Sequence, residues 1–137
     1  MFLIDTMVLS ELRRRQRDPG VVAWIGEQRH EDCFLSVVSI GEIERGLARQ
    51  RVVDAAFARQ LARWLDQLLR SYGDRLLPVD VAIARRWGRL SAELGHDGSD
   101  LLIAATALEH GLTVVTRNLR HFTPTGVPTL NPWSEAG

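Results

Sequence analysis

Two kinds of apolar pattern alternate along this chain. Short, almost continuously apolar runs are typical of strands that are covered on both faces. They predict strands at residues 2–4, 33–38, 76–79 and 112–115, with a short edge strand at 129–130. Between them, apolar residues recur every three or four positions, which predicts amphipathic helices. This alternation predicts parallel pairing through right-handed crossovers, and therefore an α/β fold, a three-layer α/β/α sandwich around a central, mainly parallel sheet.

Capping residues mark where the predicted helices begin and end. They predict helices that begin after Asp18, Asp54 and Asp80, the last two ending at Gly73 and Gly95. A further helix is predicted from Ser99, as its cap, to His110, with Gly111 closing it. Because residues 101–108 are apolar on nearly all sides, we expect this helix to be central and buried. In such a fold the ligand site lies beyond the carboxyl ends of the strands.

Length and composition favour a soluble, cytoplasmic protein with one domain that spans residues 1–137. Cys33 is the only cysteine, so no internal disulfide can form, which is typical of a reducing compartment. Asp5 interrupts the first apolar run, and no run approaches the ~20 apolar residues that span a bilayer. We therefore expect neither a signal peptide nor a membrane anchor.

The charge pattern bears on the kind of partner. The 17 basic and 17 acidic residues balance to a net charge of +0, which argues against a protein that coats nucleic acid by bulk attraction. All 17 basic residues are arginine. Arginine suits phosphate recognition because its guanidinium pairs bidentately with phosphate oxygens. The codon bias of a GC-rich genome would produce the same composition, so both interpretations stay open.

Three acidic residues lie near the expected ligand site. Asp5 ends the first strand, Glu42 opens the helix after the second strand, and Asp100 lies in the first turn of the buried helix. Each also has a purely structural interpretation. Asp5 could cap a helix that begins near Met7. Residues 39–42 fit a capping box with the Glu at the third helical position, and Asp100 could face the positive end of its own helix.

Taken together, the three carboxylates indicate a metal site. Asp5 and Glu42 follow successive parallel strands, so we expect both at the same edge of the sheet. The helix that carries Asp100 is too apolar to lie outside, and its acidic end must emerge at a polar place. Carboxylates that converge repel one another unless a cation joins them. Hard oxygen ligands of this kind suit Mg²⁺ or Mn²⁺.

Three segments resemble a known family: FLIDTMVLSEL, SIGEIERGLA and SDLLIAATALEHGLTVVTRNLRHF. In this order and spacing they resemble the PIN-domain endoribonucleases and, more closely, the VapC toxins of bacterial toxin–antitoxin pairs. The resemblance implies a divalent-metal-dependent nuclease that hydrolyses RNA phosphodiesters, with Asp5, Glu42 and Asp100 as catalytic metal ligands and Mg²⁺ or Mn²⁺ as cofactor. It also implies a small antitoxin protein as partner, and a homodimer.

Two positions depart from the family pattern. Met7 stands where many relatives have Asn, and His121 stands where many have a fourth acid. Asn118 could fill that fourth corner instead, because some relatives carry their acid at its place. If His121 is the ligand, its imidazole favours Mn²⁺ over Mg²⁺.

Four further residues would support the site. Thr6 and Thr116 resemble the family's supporting hydroxyls, although either could simply end a strand. Arg117 and Arg120 flank the site and could contact phosphates, or they could be solvated surface residues.

The tryptophans have a plainer interpretation. Trp24, Trp64 and Trp87 lie on amphipathic helices, and we expect them in the core rather than as stacking platforms for bases. Trp133 lies in a proline-flanked tail and fits either role.

Three other kinds of protein come into consideration. A phosphoacceptor receiver domain needs a lysine in its pocket, and this chain has no lysine. A phosphatase with an Asp-x-Asp nucleophile needs an acid two residues after Asp5, where Met7 stands. The alternative to the nuclease is a degenerate PIN-like domain that binds RNA or a protein partner without cleavage, because Met7 and His121 depart from the pattern.

Overall fold

The computed structural model describes residues 1–134, which form a parallel sheet with helices on both of its faces. The strands are β1 (Phe2–Ile4), β2 (Cys33–Ser36), β3 (Leu76–Leu77), β4 (Thr113–Val115) and β5 (Thr129–Leu130). The α-helices are α1 (Thr6–Arg13), α2 (Pro19–Glu27), α3 (Val37–Val53), α4 (Ala55–Tyr72), α5 (Val81–Leu94), α6 (Ser99–His110) and α7 (Leu119–Phe122). Short 3-10 turns lie at His30–Asp32, Gly73–Arg75 and Thr123–Thr125.

The sheet confirms the predicted α/β/α fold. Its strand order is β3-β2-β1-β4-β5 and every pairing is parallel. Successive residues of the central strand β1 bury their side chains on opposite faces. Leu3 packs in a cluster with Ile103 of α6, and Ile4 packs in a cluster with Val8 of α1. Both faces of the sheet are therefore covered, as the continuous apolar runs predict.

Two predicted strands are shorter in the structure than in the pattern. β2 ends at Ser36 rather than at Val38, because the Ser36 hydroxyl accepts a hydrogen bond from the Val38 amide at 3.0 Å and caps α3. β3 ends at Leu77 rather than at Val79. The next residue, Pro78, has no N–H group that could continue the ladder.

The cap at Ser36 makes the predicted capping box at residues 39–42 wrong. Since α3 begins at Val37, Ser39 is its third residue and Glu42 lies in its second turn. The interpretation of Glu42 as a cap partner, and as the residue that opens the helix, therefore fails for a physical reason. A serine three residues upstream takes the cap.

The other predicted helix starts are confirmed, with one correction. The side chains of Asp18, Asp54 and Asp80 accept hydrogen bonds of 3.1, 3.1 and 2.9 Å from backbone amides three residues on. In α6, however, the cap residue is Gly98, and Ser99 is the first helical residue. The Ser99 hydroxyl is therefore available for another contact.

Helix α6 is the most buried of the helices that the structure describes. Its apolar residues Leu101, Ile103, Ala104, Ala105 and Ala107 are each 0% exposed, which confirms the predicted central helix. This burial fixes the position of its first turn, where Asp100 lies.

The three helical tryptophans pack against the core but keep part of their surface. Trp24 and Trp64 lie against the cluster that contains Ile4, and Trp87 lies against Ile83 and Leu90. No helix within residues 1–134 is long and apolar enough to cross a membrane.

Candidate active site

The site lies at the carboxyl ends of the two central strands. Asp5 follows β1 and Thr116 follows β4, and these strands are neighbours in the sheet. The Asp5 backbone amide donates to the Val115 carbonyl at 3.0 Å, so the hydrogen bonding between β1 and β4 continues one residue beyond the end of β1. Asp5 is 3% exposed and Thr116 is 0% exposed. Two polar side chains are thus held side by side at the floor of the site.

The structural interpretation of Asp5 as a helix cap is confirmed. As the cap of α1, its Oδ1 accepts a hydrogen bond of 2.8 Å from the Thr6 amide. Its Oδ2 accepts one of 2.8 Å from the Thr116 hydroxyl. The cap therefore orients the carboxylate without excluding a role in the site.

Burial raises the pKa of Asp5 from 3.8 to about 6. The hydrogen bonds from the Thr116 hydroxyl and the Thr6 amide lower the pKa of Asp5 and so oppose this rise. The negative charges of Asp100 and Glu42 raise the pKa further. A buried carboxylate that is repelled by two others favours either a proton or a cation.

Glu42 is held by hydroxyl groups. Its Oε1 accepts a hydrogen bond of 2.7 Å from the Thr6 hydroxyl, and its Oε2 accepts one of 3.3 Å from the Ser99 hydroxyl. The Ser39 hydroxyl lies 2.8 Å from the Thr6 hydroxyl and is fully buried. These contacts connect α3 to α1 and to the first turn of α6, next to Asp100.

Asp100 meets both candidates for the fourth corner. Its Oδ2 accepts a hydrogen bond of 3.3 Å from Asn118 Nδ2 and lies 2.9 Å from His121 Nδ1. Asn118 Nδ2 and His121 Nδ1 lie 2.9 Å apart. Sequence reasoning left these two residues as alternatives, and the structure brings both of them to the same carboxylate oxygen.

Thr116 joins the two halves of the site. Its hydroxyl donates to the Asp5 carboxylate at 2.8 Å and accepts from the backbone amide of Asn118 at 2.9 Å. A chain of hydrogen bonds thus runs from Asp5 through Thr116 and Asn118 to Asp100. Both threonines that the family resemblance singled out lie within this network.

Within residues 1–134, no three His, Cys, Asp or Glu side chains stand close enough together to hold a metal ion as they are arranged. Glu42 and Asp100 are engaged instead with hydroxyl, amide and imidazole groups. The chemistry of the donors nevertheless fits a hard divalent cation, because they are carboxylate oxygens. The negative charges of Asp100 and Glu42 repel that of Asp5, and a bound cation would neutralise this repulsion.

A groove of about 640 Å³ opens beside Asp100 and is lined by His96, Ser99, Arg120 and His121, among others. Arg120 is exposed and belongs to its wall. Arg117 is also exposed, and its guanidinium carbon lies 5.5 Å from the centre of the Trp133 ring. The two predicted phosphate contacts therefore have different surroundings, and only Arg120 lines this groove.

Sequence reasoning missed two residues of the site. Ser39 and Ser99 were interpreted as helix caps, whereas their hydroxyls support Thr6 and Glu42. The available signal was their position, since Ser39 lies one turn before Glu42 and Ser99 directly precedes Asp100.

Comparisons with known proteins agree with this fold. The sequence profile of the PIN domain matches residues 2–124. The VapC ribonuclease Y4jK of Sinorhizobium fredii is 34% identical over 99% of this chain and 100% of its own length. The crystal structure of FitAcB from Neisseria gonorrhoeae superposes with a TM-score of 0.87 at 33% identity, covering 98% of this chain and 100% of that one. A structure of FitAB bound to a DNA fragment superposes with a TM-score of 0.81 at 30% identity, covering 100% and 99% of the two chains.

Proposed function

This chain belongs to the PIN-domain family, and we propose that it is a divalent-metal-dependent endoribonuclease, the toxin of a type II toxin–antitoxin pair. The observation that carries the proposal is the environment of Asp5. This carboxylate is 3% exposed, and burial together with the charges of Asp100 and Glu42 holds its pKa near 6. Such crowding destabilises the metal-free fold, and a bound cation would offset it.

Asp5, Glu42 and Asp100 would hold one or two ions of Mg²⁺ or Mn²⁺. Bound there, such ions make water acidic enough to act as a nucleophile at neutral pH and stabilise charge on the phosphodiester oxygens. Asn118 or His121, both beside Asp100, would complete the ligand set. Asn118 would offer its carbonyl oxygen, which suits Mg²⁺, whereas His121 would offer a ring nitrogen, which favours Mn²⁺.

The hydroxyl groups of the site orient the carboxylates. Thr116 fixes one oxygen of Asp5, and Thr6 and Ser99 each fix one oxygen of Glu42. A carboxylate oxygen has two lone pairs, so each of them can accept a second partner while these bonds persist. Partners of this kind fix the orientation of ligands, and their loss typically lowers metal affinity or activity by about 10–100-fold.

The groove beside Asp100 would carry the RNA backbone on one side of the site. Arg120 lines this groove, and its guanidinium can pair bidentately with a phosphate. RNA as the substrate rests on the relatives that are named ribonucleases. Arg117 would take a second phosphate through the edge of its guanidinium, because the contact with Trp133 involves the face of that group.

A small antitoxin would bind this chain and silence it. A relative that is 33% identical over 98% of this chain is named toxin FitB, and the FitAB structure that superposes on this chain is bound to a DNA fragment. The cluster of carboxylates offers a partner's arginine a place for a bidentate ion pair. We also propose that the chain forms a homodimer, as the family resemblance implies.

A second candidate function is a degenerate PIN domain that binds RNA or protein without cleavage. It is favoured by one observation, the engagement of Asp100 by Asn118 and His121 in place of a fourth acid. The two functions differ in a single outcome, which is whether RNA is cut.

Expression in bacteria tests the proposal. We expect wild-type protein to arrest growth and to generate new RNA 5′ ends, and Asp5→Asn protein to do neither. Asp66→Asn serves as the matched control, because Asp66 is an exposed carboxylate on α4. Growth arrest that persists in folded Asp5→Asn protein would contradict the proposal. Binding of RNA without any cut ends would favour the degenerate domain.

A further inference from the structure

A second groove opens on the other side of Glu42. It measures about 240 Å³ and lies between α1, α3 and α4. Its lining includes Thr6 and Glu42 from the candidate active site, together with Gln50, Phe57 and Trp64. We call it the aromatic groove. Because it shares Thr6 and Glu42 with the candidate active site, whatever occupies it lies next to Glu42.

The two rings of the aromatic groove both face the guanidinium of Arg13. The guanidinium carbon of Arg13 lies 5.2 Å from the centre of the Phe57 ring and 5.0 Å from the centre of the Trp64 ring. Both rings are only partly buried. A guanidinium stacks on aromatic faces through its plane, so the faces that it covers can also accept a nucleobase. The amide of Gln50, in the same groove, can both donate to and accept from a base edge.

A run of arginines continues from this groove. Arg13 is the last residue of α1, and Arg14, Arg15 and Arg17 follow it directly after the helix, in a chain whose net charge is +0. These three arginines are exposed, although Arg14 also pairs with Glu11 at 3.2 Å. Clustered positive charge on one part of a neutral protein attracts a polyanion there. The aromatic groove therefore has the carboxylates of the candidate active site at one end and the arginines at the other.

Given the proposed ribonuclease function, on which this inference rests, we propose that the aromatic groove binds one unstacked base of single-stranded RNA beside the scissile phosphate. The base stacks on Trp64, and Arg13 moves to an adjoining phosphate, with the arginines after it contacting the next ones. Stacking of unpaired bases on aromatic rings and binding of phosphates by arginine are the usual means of holding single-stranded RNA.

The mixed chemistry of the lining favours a base as the occupant, because aromatic rings and the Gln50 amide lie together in a groove of about 240 Å³. A flat base with its polar edge towards Gln50 uses both the rings and the amide. This assignment makes Trp64, which also packs against the core as the sequence predicts, a residue that contributes to substrate affinity.

Equilibrium binding tests this inference without cleavage. The probe is a fluorescein-labelled, single-stranded oligouridylate of twelve nucleotides, and the protein is the full chain with Asp5→Asn, in EDTA. We expect Trp64→Leu to weaken binding by about tenfold, the size of one base–aromatic stack, and Trp64→Phe to retain most of the affinity. Trp87→Leu is the matched control, since Trp87 is a partly buried tryptophan on α5. Arg13→Gln should weaken binding and reduce its salt dependence.

Tryptophan emission supplies a readout that a merely structural role would not move. RNA should quench the fluorescence of the parent protein, and Trp64→Phe should lose most of this quenching while anisotropy still reports binding. This second measurement keeps the test decisive if Trp64→Leu fails to fold. Quenching that persists unchanged in Trp64→Phe overturns the inference, as does an RNA affinity that is the same in folded Trp64→Leu.

The remaining outcomes separate this inference from the proposed function. Absence of any oligouridylate binding overturns the inference. If Trp64→Leu keeps its RNA affinity but loses co-purification with the small protein encoded by the adjacent reading frame, the groove serves a protein partner and the inference is again wrong. Cleavage of RNA by wild-type protein with metal is scored separately. Wild-type protein that cuts RNA without needing Trp64 overturns only the inference, whereas absence of cutting overturns the proposed function and leaves the binding result to stand.

Discussion

Replacing Asp5 with Asn should stabilise the metal-free protein at neutral pH. Asp5 is 3% exposed, and burial raises its pKa from 3.8 to about 6. At pH values between 3.8 and about 6 the Asp5 carboxyl is protonated in the folded protein and ionised in the unfolded chain. The stability that this protonation gives is therefore fully present below about pH 4 and is lost as the pH rises through about 6. Above that pH the ionised carboxylate destabilises the fold, and the neutral amide of Asn removes this penalty.

The magnitude follows from the local contacts. A rise of about two pKa units corresponds to ~3 kcal/mol of stability. Asn can still cap α1 and accept from the Thr6 amide. Its amide nitrogen cannot accept from the Thr116 hydroxyl, and that lost hydrogen bond costs about 1 kcal/mol. We therefore expect a net gain of ~2 kcal/mol near pH 7.5, or roughly 5–10 °C in melting temperature.

Urea unfolding in EDTA, followed by tryptophan fluorescence between about pH 4 and pH 8, measures this gain. Asp66→Asn is the control, because Asp66 is exposed on α4. The advantage of Asp5→Asn should vanish near pH 4 and grow with rising pH. A hundredfold excess of metal over its dissociation constant should add ~2.7 kcal/mol to the wild-type protein and much less to Asp5→Asn. A pH-independent difference, or a variant that is less stable at pH 7.5, would refute the reasoning.

Three further perturbations have defined outcomes. Thr116→Val should lower metal-free stability at neutral pH by about 1–3 kcal/mol, since a buried carboxylate loses its hydroxyl partner, and Thr116→Ser should restore most of it in the same urea assay. His121→Asp should raise the RNA cleavage rate with Mg²⁺ relative to Mn²⁺, because it replaces a ring nitrogen with oxygen; an unchanged ratio would place His121 outside the metal site. Gly20→Ala should destabilise the fold by about 1–3 kcal/mol, because a Cβ there would lie 2.6 Å from the Pro132 carbonyl oxygen. On the same helix, Gly26→Ala meets nothing within 4 Å, and it should be neutral or stabilising by up to ~1 kcal/mol in thermal melts.

The positions of the strands and most helix ends could be predicted because they depend on local chemistry. Apolar runs fix which residues enter a sheet that is covered on both faces, and Asp54 and Asp80 cap their own helices. The start of α3 was misplaced because two serines compete to cap it. Ser36 caps it, by a bond of 3.0 Å to the Val38 amide, whereas the pattern favoured Ser39.

The contacts of the candidate site depend on strand order, which no local pattern contains. Thr116 reaches Asp5 across a separation of 111 residues because β4 lies next to β1. The roles of Ser39 and Ser99 depend on the packing of α3 and α6 around Thr6 and Glu42, and were therefore missed. Asn118 and His121 are three residues apart and both reach Asp100, so spacing alone could not choose between them.

The most direct test of the central claim is the rate at which purified protein cleaves a 5′-labelled RNA in Mn²⁺, in Mg²⁺ and in EDTA. We expect wild-type protein and Asp66→Asn to cleave with metal and not in EDTA. Asp5→Asn, Glu42→Gln and Asp100→Asn should remain folded and cleave more than about 100-fold more slowly, because loss of a ligand should exceed the effect of losing its supporting partners. Cleavage at the wild-type rate by folded Asp5→Asn protein, or undiminished cleavage in EDTA, would contradict the claim that these carboxylates form a metal-dependent ribonuclease site.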